Sequence, residues 1–362
     1  MRIRPMRLAW TGAVAAACVV AVVLAGATAS AGTASANSYT VHTLVSDTGT
    51  PGDSNLVNGW GLAAGPTTPW WVSSNGKDVS TLYDASGAVI PLVVAVGGGP
   101  SGLVFNGSNS FPITDGMTTG PSRFLFSSED GKIREWSPTI PPGPSTQSTV
   151  AADRSNVGAI YKGLAIASTP SGDFLYATDF HNGRVDEFDG SFSLVNHPGA
   201  FADHTIPAGY APFGIQTIDD KIFVTYAKQD KDREDDAAGR GRGYVDEFDT
   251  SGNLVARVAS RGQLDSPWGL AMAPSTFGKF AGDLLVGNFG NGQIDAFSQG
   301  ANGQFHFSGA LRNAQRKLIK IGGLWALEFG NGAPANGPTD TLFFTAGPGD
   351  ETHGRFGTIT AA

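Results

Sequence analysis

A hairpin that returns six times, at intervals of the length of a propeller blade, constrains this chain more than any single motif. Its fullest copy is Phe174 to Asp189, FLYATDFHNGRVDEFD. The apolar run Phe174-Leu175-Tyr176-Ala177 reads as a strand buried on both faces. Asn182-Gly183 supplies the positive φ angles of a tight turn, and Val185 and Phe188 mark the returning strand. The first strand recurs as Trp70 to Ser73, Phe124 to Ser127, Ile222 to Thr225, Leu284 to Gly287 and Leu342 to Thr345. The second recurs as Ile133/Trp136, Val245/Phe248 and Ile294/Phe297, with looser copies at Ser80/Tyr83 and Phe356/Ile359. A glycine followed by an aliphatic residue precedes every hairpin: Gly61-Leu62, Gly102-Leu103, Gly163-Leu164, Gly214-Ile215, Gly269-Leu270 and Gly323-Leu324. The steps between these glycines, 41, 61, 51, 55 and 54 residues, suit propeller blades and not short solenoid turns. With a fourth strand such as Asn253 to Val258, each copy makes one four-stranded blade. The fold class expected is all-β, a six-bladed β-propeller.

The sixth copy ends near Thr360, after its third strand, while residues 39 to 47 form an alternating strand ahead of the first copy. Each deficit fits the other, so the N-terminal strand is expected to complete the last blade and close the ring, since an open ring would leave two unpaired strand edges. Residues 1 to 36 are a separate segment. Arg2, Arg4 and Arg7 form a basic region, Leu8 to Ala27 is apolar, and Ala34-Ser35-Ala36 is an A-x-A cleavage site. The expected organisation is a signal peptide at 1–36, cleaved after Ala36, and one propeller domain over 37–362, located outside the cytoplasm. Cys18, the sole cysteine, falls in the leader, so the domain has neither a disulfide nor a thiolate chemistry of its own. The leader carries three arginines and no acids, so its loss moves the net charge from −8 to −11. That balance disfavours nucleic acid and anionic membranes as partners and leaves a small molecule or an extracellular protein.

The Gly-aliphatic starts, the hairpins ending in Asn-Gly and the [IV]-x-x-[FW]-[DS] third strands resemble NHL-repeat propellers. More closely, YKGLA, FLYATDFHNG, APFGI, YVDEFDTSGNL, SPWGLA, LLVGNFGNG and FFTAGPGDETHG resemble an uncharacterised family of secreted bacterial β-propellers, over nearly all of residues 39 to 361. The resemblance implies fold and export. It brings no reaction and no catalytic residue with it.

In a propeller the loops entering the inner strands and the loops within the hairpins open on one face, around the central channel. Site residues are therefore expected from that set: Trp60, Asp179, His181, Trp268, Asn288, Trp325 and His353 as ligand-binding candidates. Glu129, Asp179 and Asn288, oxygen donors from three blades, could hold a divalent cation; calcium would be the cofactor, polarising a lactone or ester carbonyl. The same Asp179 and Asn288 could equally cap tight turns. His181, His353 and His204 offer a zinc alternative without the sequence spacing of a zinc motif. The three tryptophans could stack a ligand or fill the gaps between blades. The insertion Lys228 to Arg242, KQDKDREDDAAGRGR, holds five basic and five acidic residues and reads either as a lid hinged on Gly239, Gly241 and Gly243 or as a solvated loop. A ligand- or protein-binding module and a calcium-dependent, lactonase-like hydrolase or lyase both remain open, with no catalytic residue assigned.

Overall fold

The computed structural model describes Met1 and residues 36–50, 52–143 and 145–362, so that nearly all of the expected leader lies outside the described residues. Six four-stranded antiparallel sheets stand around a channel. Inner to outer, blade one is Gly59–Ala63, Trp70–Ser74, Val79–Tyr83 and Val89–Ala95. Blade two is Pro100–Phe105, Phe124–Ser128, Lys132–Trp136 and Thr149–Asp153. Blade three is Tyr161–Thr169, Gly172–Asp179, Arg184–Asp189 and Leu194–Val195. Blade four is Tyr210–Ile218, Lys221–Lys228, Gly243–Asp249 and Leu254–Ser260. Blade five is Pro267–Met272, Leu284–Asn288, Ile294–Gln299 and Phe305–Ala310. Blade six is Leu324–Phe329, Leu342–Ala346, Arg355–Ala361 and, outermost, the N-terminal strand Tyr39–Ser46.

That last strand closes the ring as the two sequence deficits require. Tyr39 pairs with Ala361 and Ser46 with Arg355, in antiparallel register. The junction is anchored from inside: the buried Tyr39 ring packs on Phe277 and Phe280, with centroids 4.9 and 6.0 Å away, and its hydroxyl donates to the Phe277 carbonyl at 3.1 Å. The outer edge of Arg355–Ala361, which would otherwise be open, is thereby paired.

Each inner strand slips register once, between Gly59 and Leu62, Pro100 and Leu103, Tyr161 and Leu164, Pro212 and Ile215, Pro267 and Leu270, and Leu324 and Leu327. The slip corrects the sixth repeat. Its Gly-aliphatic equivalent is Ala326-Leu327, not Gly323-Leu324. Gly323 is a glycine for another reason: it has φ 64°, and a Cβ there would lie 2.2 Å from the Gly347 carbonyl oxygen. The true repeat glycines serve blade packing. A Cβ on Gly61 would sit 2.4 Å from the Ser101 carbonyl oxygen, and one on Gly214 would sit 2.2 Å from that of Trp268. Backbones of neighbouring inner strands thus approach where a side chain would collide.

The aliphatic partners of those glycines, Leu62, Leu103, Leu164, Ile215, Leu270 and Leu327, line the waist of the channel and leave 20 Å³ there. That is room for about one water. The two ends of the channel are thereby separated. One further correction is local. In the Asp179 hairpin only Gly183 adopts positive φ, at 69°, and the turn closes by its N–H donating to the Asp179 carbonyl at 2.9 Å. The four-residue connection relieves Asn182 of the conformation expected of it.

Candidate functional site at the upper channel mouth

The upper mouth is the end at which the inner strands begin and the hairpin loops open. Two residues ahead of each waist aliphatic, the inner strands place Trp60, Ser101, Lys162, Phe213, Trp268 and Trp325. Four of the six are aromatic, and they fill the mouth. Trp60 stacks on Trp325 at 3.9 Å, Phe289 covers the other part of Trp325 at 3.9 Å, and Trp268 meets it edge-on at 5.8 Å. Phe213 lies 5.9 Å from Trp325 and 5.2 Å from Phe180. Trp60, Trp268 and Trp325 are 2%, 9% and 1% exposed. They pack on one another and form a floor to the mouth. Two buried polar atoms in that floor, the indole nitrogens of Trp60 and Trp268, have no hydrogen-bond partner.

Lys162 interrupts this aromatic ring of positions. It is 1% exposed, and its ammonium lies over the Trp60 ring at 5.1 Å, bonded to a Glu129 carboxylate oxygen and to Asp235 Oδ1 at 2.8 Å. The network continues from blade to blade. Glu129 Oε2 accepts from Asn75 Nδ2 at 2.8 Å, and Asn75 Oδ1 accepts from Asn58 Nδ2 at 3.2 Å. Asn58 Nδ2 also donates to Glu351 Oε2 at 2.7 Å, while Asn58 Oδ1 accepts from Trp325 Nε1 at 2.8 Å. Room for Asn58 depends on Gly347, where a Cβ would stand 2.1 Å from Asn58 Oδ1.

The electrostatics follow from this crowding. Burial alone would lower the Lys162 pKa, but Glu129 and Asp235 outweigh it and hold the ammonium above its ordinary value. Burial, reinforced by the charges of Glu129, Asp235 and Asp236 against the relief given by Lys162, pushes Glu351 up to about 7. Asp236, buried beside Asp235, is pushed up to about 6. The mouth thus holds one ammonium, the two carboxyl groups that pair with it, and two further carboxyls raised toward neutral pH.

Asp235 and Asp236 come from the insertion between the hairpin strands of blade four. The segment folds back on itself: Ala237 N–H donates to the Lys228 carbonyl at 2.7 Å and Asp230 N–H to the Asp235 carbonyl at 2.8 Å. Gln229 Nε2 ties it to the Phe180 carbonyl at 2.6 Å. The insertion is therefore laid over the mouth, with Asp235 as its contact to Lys162.

The expected cation ligands do not come together. Glu129 is engaged by Lys162 and Asn75. Asp179, fully buried, accepts from the N–H groups of Ile160 and Asn182 at 3.3 and 3.2 Å and from Asn182 Nδ2 at 2.7 Å. Asn288 accepts from Asp265 N–H at 2.9 Å and donates to Asp295 Oδ2 at 2.9 Å. The three share no partner, and the oxygens of Asp179 and Asn288 are taken by backbone N–H groups, so the residues present do not fit a calcium ion. Among the described residues no three His, Cys, Asp or Glu side chains are grouped to hold a metal. His353 bonds Asp47 at 2.7 Å toward the ring closure, His204 lies exposed in a loop, and His181 stands over Gly158, so the histidines do not converge either. Of the network residues, Glu129 was expected as a cation ligand and instead pairs with Lys162, while Lys162, Asn58, Asn75 and Glu351 carry no local motif that marks them. Across the six inner strands Lys162 is the one charge at a position that is aromatic in four of them.

Fold and site together define a six-bladed propeller with a charged network over an aromatic floor at one channel mouth. No family model matches the chain. It is 31% identical over 319 residues to "Uncharacterized protein R648" of Acanthamoeba polyphaga mimivirus, covering 85% of this chain and 76% of that protein. It is 31% identical over 265 residues to "Uncharacterized protein L690" of the same virus, covering 70% and 68%. The chain belongs to the family of these two proteins, which are viral where the sequence motifs suggested bacterial relatives. Among solved structures, aldose sugar dehydrogenase from Escherichia coli superposes with a TM-score of 0.51 at 11% identity over 90% of this chain and 100% of its own. Virginiamycin B lyase from Staphylococcus aureus does so at 0.50 and 11% over 90% and 100%. At such identities the likeness is one of fold.

Proposed function

We propose that the chain is an exported ligand-binding propeller that holds a small carboxylate at its upper mouth, in exchange with Asp235. The observation that carries this reading is the Lys162 pair. The aromatic floor would close the mouth without a lysine, and burying an ammonium costs several kcal/mol before its partners offset the loss. Of those partners, Asp235 is held on an insertion and its side chain is 71% exposed. A carboxylate ligand that replaced it would keep the charge balance around Lys162 and would find the unpartnered Trp60 and Trp268 N–H groups below. Export rests on the basic, apolar and A-x-A segments of residues 1–36. The acidic surface of the domain supports neither nucleic acid nor anionic membrane as partner.

Tryptophan fluorescence tests the reading, because Trp60 lies directly under the ammonium. Titration with acetate, succinate and gluconate at pH 6 should give a saturable change for at least one of them. Lys162→Met should abolish it. Asp235→Asn, which removes the internal competitor, should tighten it about two- to fivefold, the worth of an exposed ion pair. No saturable change in either wild type or Asp235→Asn would sink the proposal.

Acid–base catalysis at the same mouth is the second reading, a hydrolase or lyase without the calcium ion. Glu351 favours it: a carboxyl at about 7, beside an ammonium-bearing network, is poised to exchange protons at neutral pH. Turnover of a lactone or ester that disappears in Glu351→Gln with binding retained would favour this reading over pure binding.

A further inference from the structure

The opposite end of the channel holds a second departure from the repeat. One residue past each waist aliphatic, the inner strands carry Ala63, Val104, Ala165, Gln216, Ala271 and Glu328. Five are neutral and one is an acid. Glu328 opens into a cavity of 270 Å³ lined by strand ends of blades one, two, three, four and six, among them Ala64, Phe105, Ile166 and Thr217. That size lies at the small end of sites for organic ligands, and its apolar walls with a single charge-bearing group match what such sites use to orient a ligand. Glu328 is the only titratable side chain in the lining. No protein charge or hydrogen bond offsets its burial, which alone pushes the carboxyl up to about 8. Nothing in blade packing requires an acid here, as Ala and Val serve in four of the six copies.

We propose that the lower mouth is a second binding site, independent of the first, that takes a small apolar ammonium ion with Glu328 as its counter-ion. The apolar walls cover the hydrocarbon part, and the carboxylate supplies the one charge the ligand needs in a desolvated place. When the ammonium enters near neutral pH, Glu328 releases its proton to solvent, so binding tightens as pH rises toward 8. The leucine waist keeps this site apart from Lys162 and Glu129.

Benzylamine is a suitable probe, with benzyl alcohol as its uncharged counterpart of the same shape. Calorimetric titration of the purified protein should show one saturable benzylamine site whose heat differs between buffers of different ionisation enthalpy, reporting proton release. Glu328→Gln should weaken benzylamine by about tenfold or more while leaving benzyl alcohol unchanged. Ala64→Trp, which fills the cavity and keeps the acid, should abolish both. No saturable benzylamine binding, equal affinity in Glu328→Gln, equal affinity for the alcohol and the amine, or full binding by Ala64→Trp would each overturn the proposal. The last outcome would place the amine at the acidic upper mouth instead.

Discussion

The two ends of the channel are built from the same six strands and differ in what breaks the pattern. At the upper mouth four of the six positions are aromatic and Lys162 is the one charge; at the lower mouth five of the six are neutral and Glu328 is the one charge. The upper charge is fully answered by Glu129 and Asp235, and the answer ties blades two, three and four together. The lower charge has no answer in the protein. A paired charge inside a protein is held by its partners and exposes them to exchange, whereas an unpaired one waits for a partner from outside. The contrast assigns different ligand chemistries to the two ends, an anion above and a cation below.

Removing the answered charge should have the larger consequence. Lys162→Met leaves Glu129 half-buried without its cation and should cost about 2 kcal/mol, less than for a fully buried pair because Asp235 can relax into solvent. Urea unfolding of the variant measures this, and an unchanged midpoint would mean that the pair does not join the blades energetically.

The unanswered charge should show itself in the pH dependence instead. A carboxyl raised from its ordinary value to about 8 makes the folded state bind a proton more tightly than the unfolded chain, so stability falls as pH rises from about 4.5 to about 8. Melting temperatures of wild type and Glu328→Gln should therefore agree near pH 5, and the variant should melt higher by a few degrees at pH 9. Parallel curves would contradict the burial of that carboxyl.

Asp179→Asn is the control on the upper face outside the network. It loses an acceptor for Asn182 and should cost about 1 kcal/mol without altering carboxylate binding. Asp235→Asn, on an exposed side chain, should change stability by no more than about 0.5 kcal/mol while tightening the upper site. A larger loss there would show the insertion to be a structural clamp.

The architecture was largely legible in the sequence because its signals are local: apolar strand runs, Asn-Gly turns and spaced glycines. Even closure could be read, since a missing fourth strand at one end and a spare strand at the other leave one solution. The sixth glycine was misassigned for a physical reason: Gly323 satisfies a turn, while Ala326 takes the place of the packing glycine, and only the register slip tells them apart. The site was harder. Asp179 and Asn288 are oxygen donors in hairpin loops, yet their oxygens are consumed by backbone N–H groups, from Asn182 in the same turn for Asp179 and from Asp265, 23 residues back, for Asn288. Lys162 and Asp235 are 73 residues apart, and their meeting depends on the fold of the insertion. Glu328 carries no local signal, since its distinction lies in the neutral residues at the same register on the other five inner strands.

The central claim is that the two charged departures serve ligands and not the fold. Its most direct test is a variant that removes the charge at both ends: Lys162→Phe with Glu129→Gln, which leaves only the exposed Asp235 without its cation, and Glu328→Ala. Replacing buried charge by apolar groups of similar size is often neutral or stabilising. The account predicts that this protein melts at or above the wild-type temperature near pH 7 and binds neither carboxylate nor benzylamine. A protein that unfolds well below wild type, or that keeps either ligand, would contradict it.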